Sequence, residues 1–410
     1  MQFADIIGQY QVKQHLAELV QHNRLSHALL FLGKEGSGSL SLALAFAQYV
    51  VCEKMNGRQS TVNSQQPGPS LFGETETRIP NPETVVDSCG ICPACLKAHQ
   101  FVHPDIHFSY PTVTKKPGEK PVATDFITDW REFVKLSPYG NLFDWIEQIK
   151  EKENSQGKIT AEECHDIIRK LSLKSFESVY KILIMWMPEM LGTEGNKLLK
   201  LVEEPPPNTL FILVAENESL ILPTIVSRCQ LIRIPALETK EIEEALINRN
   251  KTEPVIARQV ASISEGNYRE ALQLVQHAEE DWQSLLRDWL NAILKTGPVA
   301  QAKWVEEISR LGREKQKQFL RYFNHLLEQA VHLRIATESG QAGMVRPDSE
   351  RDFAERLNKI AGIEQQQAII RELDRASYYI ERNAHGKMLF HALTIKLYHI
   401  IQDKIVFLVE

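Results

Sequence analysis

The sequence predicts an α/β domain with a parallel sheet at its N-terminal end and an all-helical tail behind it. Three observations carry this. Strand-length runs such as Lys181 to Met187 and Thr209 to Ala215 are apolar nearly throughout, as strands buried on both faces of a parallel sheet are. A glycine turn joins the first such run to a helix, the opening half of a βαβ unit. From Asp281 to Phe407 the apolar residues recur at helical spacing almost without interruption.

Taken in order, Val12, Leu16, Leu19 and Val20 set an amphipathic helix over 9–22. Ala28 to Leu32 is a buried strand ending in Gly33, and Leu40 to Cys52 is helical. Residues 56–88, rich in Asn, Gln, Ser, Thr, Gly and Pro, read as a mobile insertion. Residues 112–156 begin Pro-rich and basic, then turn aromatic (Trp130, Phe133, Tyr139, Phe143, Trp145), and are expected to pack on the domain surface. Thr160 and Glu163 form a capping box that starts a helix. A helix over Thr193 to Val202 stops at Pro205-Pro206-Pro207, and Gln230 to Ile234 is a last strand. Residues 239–278 read as three short helices punctuated by Gly266-Asn267. The expected domains are therefore 1–235 (α/β), 236–280 (small helical) and 281–410 (helical), with a loop around Gly340 to Pro347 dividing the tail.

Composition narrows the function classes. At about 150 residues per domain, 410 residues suit two or three domains. A hydrophobic share of 43% with 24% charged residues excludes a disordered or fibrous chain, and a net charge of -6 excludes a polycation. Any nucleic-acid contact must come from a local patch or from partner subunits. Six cysteines are too few for a disulfide scaffold. No secretory leader is visible at Met1 to Asp5, and no apolar run is long enough to span a bilayer. These features predict a soluble, cytoplasmic, reduced protein.

A working phosphate loop reads Gly, four residues, Gly, Lys, then Ser or Thr. Here Gly33-Lys34-Glu35-Gly36-Ser37-Gly38 keeps the glycine frame, but Ser39 takes the lysine position and Leu40 the hydroxyl position. An apolar Leu40 cannot hold magnesium. The acid pair expected at the end of a following strand is replaced by Trp186 and Met187, and Glu189 lies beyond the strand end. Two independent losses argue against ATP hydrolysis by this chain. A plain glycine-rich turn is the competing reading.

Cys89-x-x-Cys92-x-x-Cys95 has the knuckle spacing that presents thiolates to a tetrahedral zinc. Cys52 is the best candidate for the fourth ligand, with His99 and His103 competing. A redox pair is the alternative, but it needs no third cysteine. Four thiolates leave no open position, so the zinc is expected to be structural and to clamp the 52–95 insertion. The remaining histidines, the Glu241, Glu243, Glu244 run and Trp282, Trp289 and Trp304 read as surface, solvated helix face and core.

Together these features resemble the delta-prime family of bacterial clamp-loader subunits, which are AAA+ proteins. The resemblance runs through Ile7-Gly8-Gln9, Leu25-Ser26-His27-Ala28, the degenerate loop, the cysteines and His103-Pro104-Asp105. It is most specific in Asn196 to Pro206 and in Leu222 to Cys229; Gly266 to Leu272 resembles the lid motif, and Asn383-Ala384 with Leu389 to Leu397 the last collar helix. It covers about half of the chain, and the 56–88 and 112–156 stretches depart from it.

The resemblance implies an AAA+ domain, a lid and a C-terminal collar that joins a hetero-oligomeric ring. It implies a non-hydrolysing subunit of DNA polymerase III that binds no nucleotide at Gly33, Gly38, Ser39 and Leu40. It carries to Arg228, within Ser227-Arg228-Cys229, the role of an arginine finger acting on ATP held by a neighbour, the charge-stabilising job a guanidinium suits. Ser227 and Cys229 would orient the loop. Arg269 matches a nucleotide-sensing position and, with a degenerate loop, is expected to pair with an acidic neighbour. Sliding clamp and primed DNA would be engaged through the complex, without a membrane. The rivals are a self-sufficient AAA+ ATPase with an atypical loop and a zinc-dependent DNA-binding module. The first predicts turnover by the chain alone, the second tight, salt-sensitive DNA binding.

Overall fold

A computed structural model describes residues 1–55, 86–114, 118, 120–150, 156–276, 282–339, 348–382 and 384–405. The greater part of the 56–88 stretch, Lys115 to Pro117 and the Gly340 to Pro347 loop lie outside the described residues. Contacts divide the chain into two compact units, Met1–Gln273 and Leu274–Glu410.

The first unit is built on five strands: β1 (Ala28–Gly33), β2 (Ile106–Ser109), β3 (Lys181–Trp186), β4 (Thr209–Ala215) and β5 (Gln230–Ile234). Their order across the sheet is β2-β3-β4-β1-β5, and every pairing is parallel. Central β3 and β4 are buried along their whole length, which is why their sequences are apolar rather than alternating. Helices α1 (Tyr10–Gln21) and α2 (Ser39–Val51) flank β1, every residue of α2 is buried, and a short helix α3 (Pro93–His99) precedes β2. This is an α/β fold with a parallel sheet and a glycine turn between β1 and α2, followed by short helices over Thr239–Asn250, Pro254–Ile263 and Tyr268–Gln276.

Three elements differ from the sequence reading. The four-residue edge strand β2 escaped it, being too short to show a period. The helix expected over 193–202 is a 3-10 segment from Pro188 to Leu198, interrupted at Gly192, with α-helix only over Leu199–Glu203. The 112–156 stretch does not pack on the surface. Its helices α4 (Ile127–Leu136) and α5 (Leu142–Ile149) carry Trp130, Phe133 and Trp145 into the core at 1% exposure or less, leaving Phe143 exposed. Tyr110 stacks on Trp130 at 4.1 Å, and the Trp145 indole N–H donates to the Pro111 carbonyl at 2.7 Å.

The second unit is helical throughout its described residues, with a 27-residue helix from Arg313 to Ser339. Its core centres on Trp289 and Trp304, stacked at 4.5 Å, with Phe319, Phe323 and Phe390 around them. Their indole N–H groups reach Thr394 and the Leu285 carbonyl, as buried tryptophans require.

Candidate functional site: a filled phosphate cleft and a four-cysteine knuckle

Gly33 closes β1 and Gly38 caps the start of α2 with φ of +85°, a left-handed conformation that glycine adopts freely. Ser39 opens the helix, its hydroxyl 2.9 Å from that of Ser37, and Leu40 turns into the core at 5% exposure. The loop therefore has the backbone of a phosphate loop while its two ligand positions face protein.

The cleft over this loop is filled by the chain itself. The turn Pro138-Tyr139-Gly140, between α4 and α5, lies against Gly38 and Ser39, opposite Trp186 and Glu216. A Cβ on Gly38 would stand 2.8 Å from the Tyr139 ring. The Ser41 hydroxyl donates to the Pro138 carbonyl, and the Ile7 amide donates to the Tyr139 hydroxyl at 2.8 Å. The remaining cavity holds about 30 Å³, space for a water against the several hundred Å³ of a typical ligand pocket.

The cleft is also acidic. Glu189 accepts the Glu216 and Asn217 amides at 2.7 and 2.9 Å, so it braces the end of β4. Glu216 is an exposed residue, and crowding of its carboxyl by surrounding protein, then the charges of Glu35 and Glu189, push that carboxyl up, against the pull of Arg269. Arg269 is 7% exposed in its side chain and grips Asp144 with two hydrogen bonds of 2.5 and 2.6 Å, with Glu35 at 3.1 Å. The acidic neighbours expected for Arg269 are thus one residue of the α5 start and one of the phosphate loop. A polyphosphate would meet the acidic side chains of Glu35 and Glu216 here and find the buried Arg269 already engaged by Asp144 and Glu35.

The second cluster brings Cys52, Cys89, Cys92 and Cys95 together, their sulfurs all within 4.8 Å of one another. Sulfurs around a tetrahedral zinc at 2.3 Å stand about 3.8 Å apart; Cys89 and Cys95 are at 3.9 Å. The amides of Cys89, Cys92 and Cys95 point at the sulfurs of Cys52, Cys89 and Cys92, each at 3.4 Å. Such donors stabilise thiolates. Burial raises the Cys89 thiol, but the amides of Ile91 and Cys92 outweigh it and bring it to about 6. Cys52 and Cys95, more deeply buried, are pushed up instead. The site fits a four-thiolate zinc. His99 and His103 sit elsewhere: His99 Nδ1 lies 2.9 Å from the Met1 amine, and His103 Nε2 3.4 Å from Glu177.

Arg228 follows the short helix Pro223–Val226 and is half-exposed. Its guanidinium donates to the Thr224 carbonyl at 2.8 Å and to Glu203 at 3.2 Å. Ser227 is exposed, and Cys229 is half-buried. Asp105 accepts the amides of Phe176, Glu177 and Ser178, which fixes the loop entering β3.

The family model described as "DNA polymerase III, delta subunit" matches residues 8–67 and 76–238, more than half of the chain. The chain belongs to this DNA polymerase III delta subunit family. Among curated relatives, the DNA polymerase III subunit delta' of Bacillus subtilis is 27% identical over 271 residues, covering 66% of this chain and 60% of that protein. The tau subunit of the same organism is 24% identical over 333 residues, covering 80% of this chain and 46% of that protein. The chain thus spans less than two thirds of the length of either relative. A DNA polymerase III gamma subunit-related protein of Thermotoga maritima superposes at a TM-score of 0.34 with 14% identity, covering 94% of this chain and 98% of that one. The RuvB Holliday junction branch migration motor of the same organism superposes at 0.35 with 11% identity over 70% of this chain and 66% of that one. The fold assignment rests on the sheet itself.

Within this family frame, sequence reasoning missed Pro138, Tyr139, Asp144 and Glu216. Only Asp144 left a signal: with Asn141 it makes a capping box at the start of α5. Nothing local to 138–144 points to a partner on the phosphate loop.

Proposed function

We propose that this chain is a non-hydrolysing, delta-prime-like clamp-loader subunit. In this reading it helps load the sliding clamp onto primed DNA as part of the DNA polymerase III complex, in the cytoplasm. It joins a hetero-oligomeric ring with other clamp-loader subunits through the helical 281–410 region, while 1–235 and 236–280 act as the AAA+ domain and its lid. Nucleotide is held by neighbouring subunits, and Arg228 is lent to one of them. Structural zinc sits on Cys52, Cys89, Cys92 and Cys95, where its ligands tie the end of α2 to the 89–95 knuckle.

The observation that carries this reading is the filled, acidic cleft over a loop that lacks both its lysine and its magnesium ligand. Family membership supports the complex, and the half-exposed guanidinium of Arg228 supports the finger. The test is ATP turnover by the chain alone, by the chain with the other clamp-loader subunits, and by that complex carrying Arg228→Ala. Silence alone with Arg228-dependent turnover in the complex is expected. Robust turnover by the chain alone would establish the rival ATPase reading instead.

A further inference from the structure

We propose that the insert around α4 and α5 is a built-in occupant of the nucleotide cleft, with Tyr139 filling the space over the loop and Asp144 supplying the anion that latches Arg269. The proposal rests on the reading that this cleft takes no nucleotide, and adds what takes its place and what that occupant holds.

Three layers of contact support it. The insert is anchored on two elements: the Ala123 amide donates to buried Glu163 of the helix Ala161–Ser172 at 2.6 Å, and Trp130 packs against Trp186 of β3 at 5.3 Å. From that anchor, the turn between α4 and α5 lies over the phosphate loop, leaving about 30 Å³. On its far side the insert meets the helix Tyr268–Gln276. The rings of Tyr139 and Tyr268 meet edge to face at 5.0 Å, and Asp144 forks onto Arg269.

That helix is also tied to the loop directly. The Tyr268 amide donates to the Gly36 carbonyl at 3.3 Å, and Asn267 donates to Glu35 at 3.3 Å. A Cβ at Gly36 would collide with Asn267 at 1.9 Å. Residues 267–269 are therefore held against the cleft by their own contacts. A planar guanidinium facing a carboxylate in two parallel hydrogen bonds is the pairing it also makes with phosphate oxygens. Asp144 can make this pair because its own helix start fixes it: its amide donates to Asn141 Oδ1 at 2.9 Å, and it accepts the Asn141 amide. The latch is thus a preorganised carboxylate on a rigid helix end.

The test is hydrogen exchange on the purified full chain, comparing wild type, Asp144→Asn, Arg269→Gln and the double variant. Asparagine keeps the shape and the helix cap but removes the charge. Peptides over 254–276 are expected to exchange about fivefold faster or more in each single variant, with β3 and β4 within about twofold of wild type, as local opening requires. The double variant is expected to match the singles, as partners in one contact do. Unchanged exchange over 254–276 would overturn the latch. So would faster exchange spread evenly over the sheet, which would make Asp144 a general stability group. Neither result bears on Arg228-dependent turnover of the complex, so the two readings fail separately.

Discussion

The indole of Trp186 lies 5.3 Å from that of Trp130. One residue stands where the acid pair of a working ATPase strand is expected, and the other comes from the insert. Phe133 adds a second contact to Trp186 at 5.8 Å, and all three are buried. The aromatic at the end of β3 is therefore what α4 docks against.

Restoring the acid is accordingly expected to fail. Trp186→Asp would bury an unpaired carboxylate and empty a large core position. Each of these costs several kcal/mol, about 3–5 for the lost aromatic alone. A thermal scan is expected to show the first unit strongly destabilised or unfolded, and ATP turnover by the chain to stay absent. A folded, hydrolysing variant would show that the cleft is not closed by the insert.

How far the sequence could be read follows from the range of the interactions. Apolar runs announced β1, β3, β4 and β5, because burial on both faces leaves its mark residue by residue. The Cys89, Cys92, Cys95 spacing announced the knuckle, because its geometry is local. Cys52, 37 residues upstream of Cys89, is a candidate only through its place at the end of the phosphate-loop helix, and the sequence leaves His99 and His103 competing with it. The Arg269–Asp144 pair spans 125 positions, and nothing near either residue names the other. The insert was misplaced on the surface for the same reason: aromatic content signals burial somewhere, while the partner, Trp186, lies far along the chain.

The knuckle is expected to bind about one zinc per chain, since four thiolates complete a tetrahedral shell. Cys92→Ser removes a ligand 8% exposed and is expected to lower zinc content and the melting temperature together. Cys164→Ser, on a buried thiol outside the cluster, is expected to keep the metal. Zinc measured by atomic absorption on the three proteins decides it. Full retention in Cys92→Ser would remove this cysteine from the ligand set.

Acid sensitivity should include a contribution from His107. Burial, then the neighbouring Lys170 charge, holds its ring neutral down to about 4 in the folded chain, against 6.5 when unfolded. Between those values the unfolded chain binds more protons, so this contribution is full above pH 6.5 and is lost as pH falls toward 4. At about 1.4 kcal/mol per unit, the loss is about 3 kcal/mol at most. His107→Gln is expected to flatten this part of the profile. Urea unfolding at pH 7 and pH 4.5 measures it: an unchanged difference between variant and wild type at the two values would discount His107.

Glu203 holds Arg228 at 3.2 Å on a surface where both side chains keep solvent access, 57% and 33%. Such a pair contributes about 0–1 kcal/mol to folding, so Glu203→Gln is expected to leave the melting temperature within a degree or two. Its effect on the complex differs from that of Arg228→Ala. In the proposed finger role the guanidinium is worth about a thousandfold or more at the neighbour's site, so Arg228→Ala is expected to lower turnover by that site's whole share. Removing only the restraint leaves the charge and frees it to reach across, so turnover is expected to hold or to rise modestly. Equal losses in the two variants would mean that Arg228 works through Glu203 as a surface clamp, and the finger role would go with it.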